Sequence, residues 1–349
     1  MFDLISPVDA NSDLIEVCGK KSIMKQTFFF LLMLVLGACD NDLMDPLTPG
    51  ALVPRTVAED PTLPSLMVNG NLLHVESFGN PSDPILVLLH GGPGGDYRSL
   101  LNAKDFVQEG YFAVFYDQRG TGLSERLDRS HFNDVQVMID DLHTIIDHFK
   151  TSDDQKIFLM GHSWGAMLAT AYINQHPTEV DGVVLAEPGG FTWPQAKDYV
   201  NRANAIDLSS EALNDALFPE QIFAGRDEHE ILDYKAAYFM TFENAPGNTI
   251  GNAGPYPFWR NGAVSNEAML DFAEEHGFDF TTHLQQYDTE VLFAYSEFNS
   301  AYGPDWAHNV GDVFPHVTYF EVKGSGHELL YFGWDSFYPV ALTYLNKLK

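Results

Sequence analysis

Four short, unbroken apolar runs, at residues 85–89, 112–116, 157–160 and 183–186, constrain the fold of this chain more than any other feature. Runs of that length bounded by turn residues are what strands buried on both faces of a parallel sheet require. Between the second and third, Val135, Met138, Ile139, Leu142, Ile145, Ile146 and Phe149 recur at helical spacing, and residues 166–173 read as a second helix. Strand and helix alternate, which predicts an α/β protein built from βαβ units. Upstream, residues 67–75 read as two strands around Asn69-Gly70, a dipeptide suited to a two-residue hairpin turn. Downstream, residues 291–295 and 317–322 read as the last two strands, followed by a closing helix from about residue 329 to 348. From 189 to 286 the alternation stops, and an aromatic, Asn-rich, helix-leaning stretch with Gly-Pro and Tyr-Pro breakers indicates an inserted cap.

The N-terminus carries a different signal. Lys20, Lys21 and Lys25 precede an apolar run at 28–36, and Gly37, Ala38 and Cys39 follow, the three-part pattern of a secretory signal. Residues 27–38 fall well short of the roughly 20 apolar residues of a membrane-spanning helix. The Leu36-Gly37-Ala38-Cys39 end resembles the lipobox of bacterial lipoproteins, which implies an exported protein tethered to the cell-envelope membrane by lipid on Cys39. Met24-Lys25 also fits a signal start, so residues 1–23 read as an over-called beginning. Cys18, the other cysteine, lies in that stretch, which leaves the mature chain without a partner for an internal disulfide. The organisation expected is a signal region at 1–38, a flexible tether at 39–64, a core at 65–188 and 287–349, and the cap at 189–286. With 49 acidic against 19 basic side chains the net charge is -30, a field that repels a phosphate backbone, so nucleic acid is excluded as a partner.

The chemistry centres on Gly161-His162-Ser163-Trp164-Gly165, a G-x-S-x-G sequence set between a predicted strand and a predicted helix. A serine on that sharp turn projects its hydroxyl above the sheet edge, and the helix N-terminus favours an adjacent oxyanion. The hydroxyl needs a base to take its proton. His327, in Gly324-Ser325-Gly326-His327-Glu328 just after the last predicted strand, is placed to do so, whereas His162 belongs to the turn itself, His90 to a glycine loop and His74 to the hairpin. The loop His90-Gly91-Gly92-Pro93-Gly94-Gly95 lacks the spacing of a phosphate-binding loop. It reads instead as an oxyanion hole, with the backbone N–H groups of Gly92 and Trp164 converging on the developing charge. No H-E-x-x-H or paired Cys/His spacing occurs, and neither a metal nor a cofactor is expected.

Together with Asp117-Gln118-Arg119-Gly120-Thr121-Gly122-Leu123-Ser124, the glycine loop and the serine turn resemble the α/β-hydrolase family of prolyl iminopeptidases and related serine aminopeptidases. The resemblance covers about residues 66–188 and 288–349. It implies a mostly parallel central sheet with an N-terminal antiparallel hairpin and a mainly helical inserted cap. It also implies metal-free acyl transfer that releases N-terminal residues from short peptides, with Asp117 and Arg119 as supporting structure. The triad acid departs from the family: Asn299 stands where the carboxylate is usual, 28 residues before His327. Two replacements are available, Glu297 and Glu187. Glu187 is favoured, because it ends the strand after the serine helix, as in haloalkane dehalogenases whose acid has moved there.

Iminopeptidases bind the substrate amine with cap carboxylates, typically beside a Trp-Glu. Here Trp259 is followed by Arg260 and Asn261, and Glu243 and Glu267 are the substitutes offered. The cap aromatics Phe191, Trp193, Tyr238, Phe239, Phe242, Tyr256, Phe258 and Trp259 either line an apolar pocket or pack the cap itself. An esterase or other small-molecule hydrolase, and a catalytically silent binding protein, stand as the alternative functions.

Overall fold

The computed structural model describes residues 52–203, 228–243 and 248–349. The signal region with Cys39 lies outside the described residues, as do residues 204–227 and 244–247 of the cap.

The four apolar runs become the centre of one sheet: β3 (Ile85–Leu89), β4 (Phe112–Tyr116), β5 (Ile157–His162) and β6 (Gly182–Ala186), each buried along its whole length. In β3, Ile85, Val87 and Leu89 enter one core while Leu86 and Leu88 enter another on the opposite face. Both cores need apolar side chains, which is why the run is continuous and not alternating. Truncating such a residue to alanine removes about 2–5 kcal/mol.

At one edge, β1 (Ser65–Val68) and β2 (Asn71–Phe78) form the expected hairpin. Asn69 and Gly70 both take positive φ, 48° and 84°, the turn whose twist matches that of paired strands. At the other edge lie β7 (Val291–Ser296) and β8 (Val317–Val322), giving the order β1-β2-β4-β3-β5-β6-β7-β8. β2 runs antiparallel to β1 and β4, and the remaining neighbours are parallel.

Helices cover both faces. On one lie α1 (Gln136–Phe149) and α2 (Trp164–Gln175), whose buried residues join the core of Ile85 and Val87. α2 is buried from Trp164 to Asn174, so it is apolar all round rather than striped. On the other face a 3-10 segment, Tyr97–Glu109, and the closing helix pack around Leu86 and Leu88. That last helix is interrupted at Gly333, with a short turn at Leu329–Phe332 before the main length from Trp334 to Leu348.

The cap enters between β6 and β7, and its described helices are α3 (Trp193–Ala203), α4 (Glu228–Glu243) and α5 (Ala263–His276). Its two ends are pinned together, with Trp193 N–H donating to Phe278 O at 3.0 Å and Phe280 N–H to Phe191 O at 2.8 Å. A further helix, α6 (Gly303–Gly311), joins β7 to β8.

Residues 52–64, expected to continue a flexible tether, instead pack along the core. Val53, Thr56 and Val57 are buried, Val57 N–H donates to Leu123 O at 2.8 Å, and Arg260 Nη1 donates to Pro54 O at 2.9 Å. Two valines in a Pro- and Thr-rich stretch supply enough apolar surface to hold it. Among the described residues no helix is long and apolar enough to cross a membrane.

Candidate active site

The turn between β5 and α2 places Ser163 at the sheet's C-terminal rim. Its φ of 53° and ψ of -119° lie in a region that side-chain-bearing residues rarely adopt, so the surroundings must hold it there. Ser163 N–H donates to Ala186 O at 2.8 Å, tying the turn to the end of β6. The flanking glycines are sterically required: a Cβ on Gly161 would sit 2.3 Å from Gly165 O, and one on Gly165 would sit 2.0 Å from Leu89 O. The G-x-S-x-G spacing is thus a packing condition for bringing strand and helix together at the serine.

The glycine loop lies beside it. A Cβ on Gly91 would be 3.1 Å from Ser163 Cβ, and Gly92, Pro93, Ser163 and Trp164 border one cleft. Both residues expected to supply oxyanion N–H groups, Gly92 and Trp164, therefore stand at the mouth of the serine's cleft. Gln118, in the segment expected to support the oxyanion region, ties the start of the glycine loop to Trp164. Its Nε2 donates to His90 O at 3.0 Å, and its Oε1 accepts from Trp164 Nε1 at 2.9 Å. His90 is fixed as well, with Nε2 accepting from Gln118 N–H at 3.0 Å and Nδ1 against Gly91 O at 2.8 Å. Burial keeps its pKa below the usual histidine value, against the raising charge of Asp117, and the ring is neutral. Asp117 and Arg119 act as scaffolding: Asp117 accepts from His74, Tyr97 N–H and Leu123 N–H, and Arg119 forms a two-pronged pair with Asp141 at 2.6 Å.

His327 meets Glu187. Its Nδ1 lies 2.7 Å from Glu187 Oε2, while Glu297 points to the surface, where it accepts from Gly324 N–H at 2.9 Å and pairs with Lys323. Glu187 is fully buried directly after β6, with a positive φ of 46°. Four donors converge on it: Ser296 N–H at 2.6 Å and Ser296 Oγ on Oε1, and Asn299 Nδ2 at 2.9 Å and His327 on Oε2. Burial by itself pushes the carboxyl's pKa up; the bonds from His327, Ser296 and Asn299 outweigh it and hold the pKa below the usual glutamate value. The carboxylate is ionised. Asn299 also donates to Tyr199 OH at 3.1 Å, and that phenol lies 3.2 Å from His327 Nδ1.

His327 is joined to the serine turn through His162. Its ring lies 4.7 Å from that of His162, and His162 Nε2 donates to His327 O at 2.8 Å. His327 N–H donates to Ile250 O at 2.8 Å, which fixes the other side of the loop. Tyr199 borders both the Ser163 cleft and His327 Nδ1, so serine, histidine and glutamate share one rim. Neither Tyr199 nor the donor role of Asn299 carries a sequence signal of its own. The first is one tyrosine in a helical cap, and the second read as a lost acid.

The described wall of the cleft is apolar: Val135, Met167, Trp193, Ala196, Met269 and Phe278 are among its residues, and no charged side chain lines it. Of the cap aromatics, Trp193 reaches the cleft, whereas Phe191 is buried against Phe314 and Trp259 packs edge-on to Tyr97 and His74. The Trp259–Asn261 segment is turned away from the serine, with Trp259 and Arg260 N–H groups on Asp96 and Arg260 Nε on buried Asp233 at 2.7 Å. Glu267 is exposed and pairs with Arg129. The side chains of Tyr238, Phe239, Phe242 and Glu243 lie outside the described residues.

Comparison with known proteins fits this geometry. The serine aminopeptidase S33 family model matches residues 80–240. A proline iminopeptidase of Arabidopsis thaliana is 33% identical over 152 residues, 42% of this chain and 38% of that protein. The chain thus spans well under half the length of that curated relative. Among solved structures, the proline iminopeptidase of Mycobacterium smegmatis superposes with a TM-score of 0.54 at 18% identity, covering 81% of this chain and 98% of that one. A thermophilic esterase from Thermogutta terrifontis gives 0.56 at 18% identity, covering 82% and 98%. The fold is that of the α/β-hydrolases. The mostly parallel sheet, the antiparallel edge hairpin and the helical insertion after β6 agree with the expected fold.

Proposed function

We propose that this protein is a serine hydrolase that works by acyl transfer through Ser163. Ser163 Oγ attacks the substrate carbonyl as His327 Nε2 takes its proton. Glu187, bonded to Nδ1, fixes the tautomer and balances the imidazolium charge. The oxyanion receives the N–H groups of Gly92 and Trp164. His327 returns the proton to the leaving group, and water then cleaves the Ser163 ester by the same steps in reverse. The observation that carries this reading is a buried, ionised glutamate 2.7 Å from a histidine whose backbone is tied to the serine turn.

The relatives support an aminopeptidase of the prolyl iminopeptidase type, cleaving N-terminal residues from short peptides. One observation favours a second reading. The cleft's described wall is apolar, and two described cap carboxylates, Asp233 and Glu267, are paired with arginines, which suits an uncharged, apolar acyl group. Proline and alanine anilides set against short p-nitrophenyl esters separate the two, because ester cleavage without anilide cleavage removes the peptidase. Failure of a fluorophosphonate to label Ser163 in folded protein removes both and leaves a silent binding protein.

The signal-like N-terminus completes the proposal as a lipid-anchored envelope protein. Cys39→Ala then releases the protein to the soluble fraction, and continued membrane association overturns the anchor.

A further inference from the structure

At the end of α2 opposite the serine turn, three side chains from two segments converge. His143 stands on α1, His176 caps the end of α2, and Glu179 lies in the turn that follows. Their candidate ligand atoms all lie within 4.8 Å of one another. His176 Nδ1 is 3.1 Å from Glu179 Oε1, and His143 Nδ1 is 3.5 Å from Glu179 Oε2. The imidazoles stack with centroids 5.0 Å apart and planes within 13°.

We propose that His143, His176 and Glu179 bind one divalent transition-metal ion of the zinc type, clamping α1 to the end of the helix that begins at the nucleophile. A tetrahedral ion with bonds of about 2.0–2.1 Å separates its ligand atoms by about 3.3–3.4 Å; each histidine nitrogen lies 3.1–3.5 Å from its own oxygen of Glu179, so a turn of one stacked ring out of parallel brings the three groups onto one ion. Two imidazoles and a carboxylate form a donor set suited to zinc, cobalt or nickel. The cluster sits at the surface, with His143 39% and Glu179 41% exposed, so a fourth position is open to water.

Outer contacts already orient the ligands. Tyr172 OH donates to Glu179 Oε2 at 2.7 Å and lies 2.9 Å from His143 Nδ1, and Asp147 Oδ2 lies 3.4 Å from His143 Nε2. A carboxylate on the far ring nitrogen of a metal-bound histidine raises its basicity as a ligand. On binding, the ion takes the place of the Nδ1 proton that His143 directs at Tyr172 OH, and the neutral ring carries its proton on Nε2 beside Asp147, while Tyr172 keeps its bond to Glu179. The net charge of -30 adds a general attraction for cations. Linear motif reading cannot find this site, since its histidines are 33 positions apart and meet only because α1 packs on α2.

The test is a titration of the untagged full-length chain with Co2+, followed by visible absorption, with Zn2+ as competitor. The site predicts one saturating equivalent with the d–d bands of a four- or five-coordinate ion, displaced by Zn2+. Excess Zn2+ raises Tm by about 2–4 °C. His143→Ala and His176→Ala each weaken binding at least tenfold while keeping the metal-free Tm of the wild type, since both rings are partly exposed. Absence of saturable Co2+ binding at millimolar ion, or binding unchanged by both substitutions, overturns the site. Labelling of Ser163 by a fluorophosphonate reports on the hydrolase independently of either result.

Discussion

The turns after β6 and β7 stand side by side on one rim, yet they have exchanged the chemistry the sequence pattern would give them. After β7, where the resemblance places an acid, Asn299 donates; after β6 the carboxylate of Glu187 accepts. One turn holds the charge and the other supplies donors to hold it, from Ser296 as well as Asn299. The pair shows that an acid site is defined by where a carboxylate can reach the histidine and find enough donors to stay ionised while buried, not by which strand bears it. Glu297 sits two residues before Asn299, but its turn aims it at Lys323 and solvent.

The most severe way to break the comparison is to remove what both turns serve. Ser163→Ala lowers kcat by about 10⁴–10⁶ with Tm little changed, measured on whichever ester or anilide is turned over. Next, Glu187→Gln lowers kcat by about 10³–10⁴, because an amide cannot balance the imidazolium charge. A loss under tenfold would show that His327 does not depend on this carboxylate.

Much of this was legible in the chain, for identifiable reasons. The central strands and the serine turn were readable because burial on both faces and the Gly161–Gly165 close approach leave local marks on sequence. Glu187 was readable because one residue follows a short apolar strand. The helix α6 was not singled out, although a parallel β7–β8 pair demands a crossover. The supporting place of the segment holding Gln118 was legible, but its bond to Trp164, the contact of Tyr199 with His327 and the donor role of Asn299 stayed hidden because each is defined by partners far along the chain. The packing of residues 52–64 was hidden for the same reason: its partners, Leu123 and Arg260, are set by the fold.

A double exchange sharpens the comparison. Asn299→Asp alone sets a second carboxylate about 2.9 Å from the first, so the two share a proton and activity at neutral pH falls about tenfold. Combined with Glu187→Gln, the same change restores about tenfold over Glu187→Gln alone, since the charge returns on the neighbouring turn beside Tyr199, whose phenol lies 3.2 Å from His327 Nδ1. Kinetics of the three variants at one pH decide it; no recovery would mean that the β7 turn can support an acid but not replace it.

The buried histidines around the rim predict a slope rather than a loss. His90 and His162 are both held neutral, by burial first, with folded pKa values below the unfolded 6.5. A histidine depressed on folding favours the native state above its unfolded pKa, and that contribution disappears as pH falls through the folded value. Below about pH 6.5 each ring therefore adds up to about 1.4 kcal/mol of lost stability per pH unit. Denaturant unfolding at several pH values, with His90→Asn as comparison, should show a shallower acid-side slope in the variant; equal slopes would mean that His90 is charged in the folded protein.

The smallest expected effect is the sharpest control on the exchange between the two turns. Glu297 lies closest in sequence to the family's acid position, so a reading by position alone would give it the role. Its pKa is lowered by the Gly324 N–H first and by Lys323 after it, not by His327, and it is exposed. Glu297→Gln therefore changes kcat by less than about twofold, because an exposed pair of this kind contributes little. In the Glu187→Gln background the same substitution has no further effect, since Glu297 has no path to His327 to take over. A tenfold drop in either background, with Tm unchanged, would move the acid back to the β7 turn and make Glu187 the residue that merely holds it.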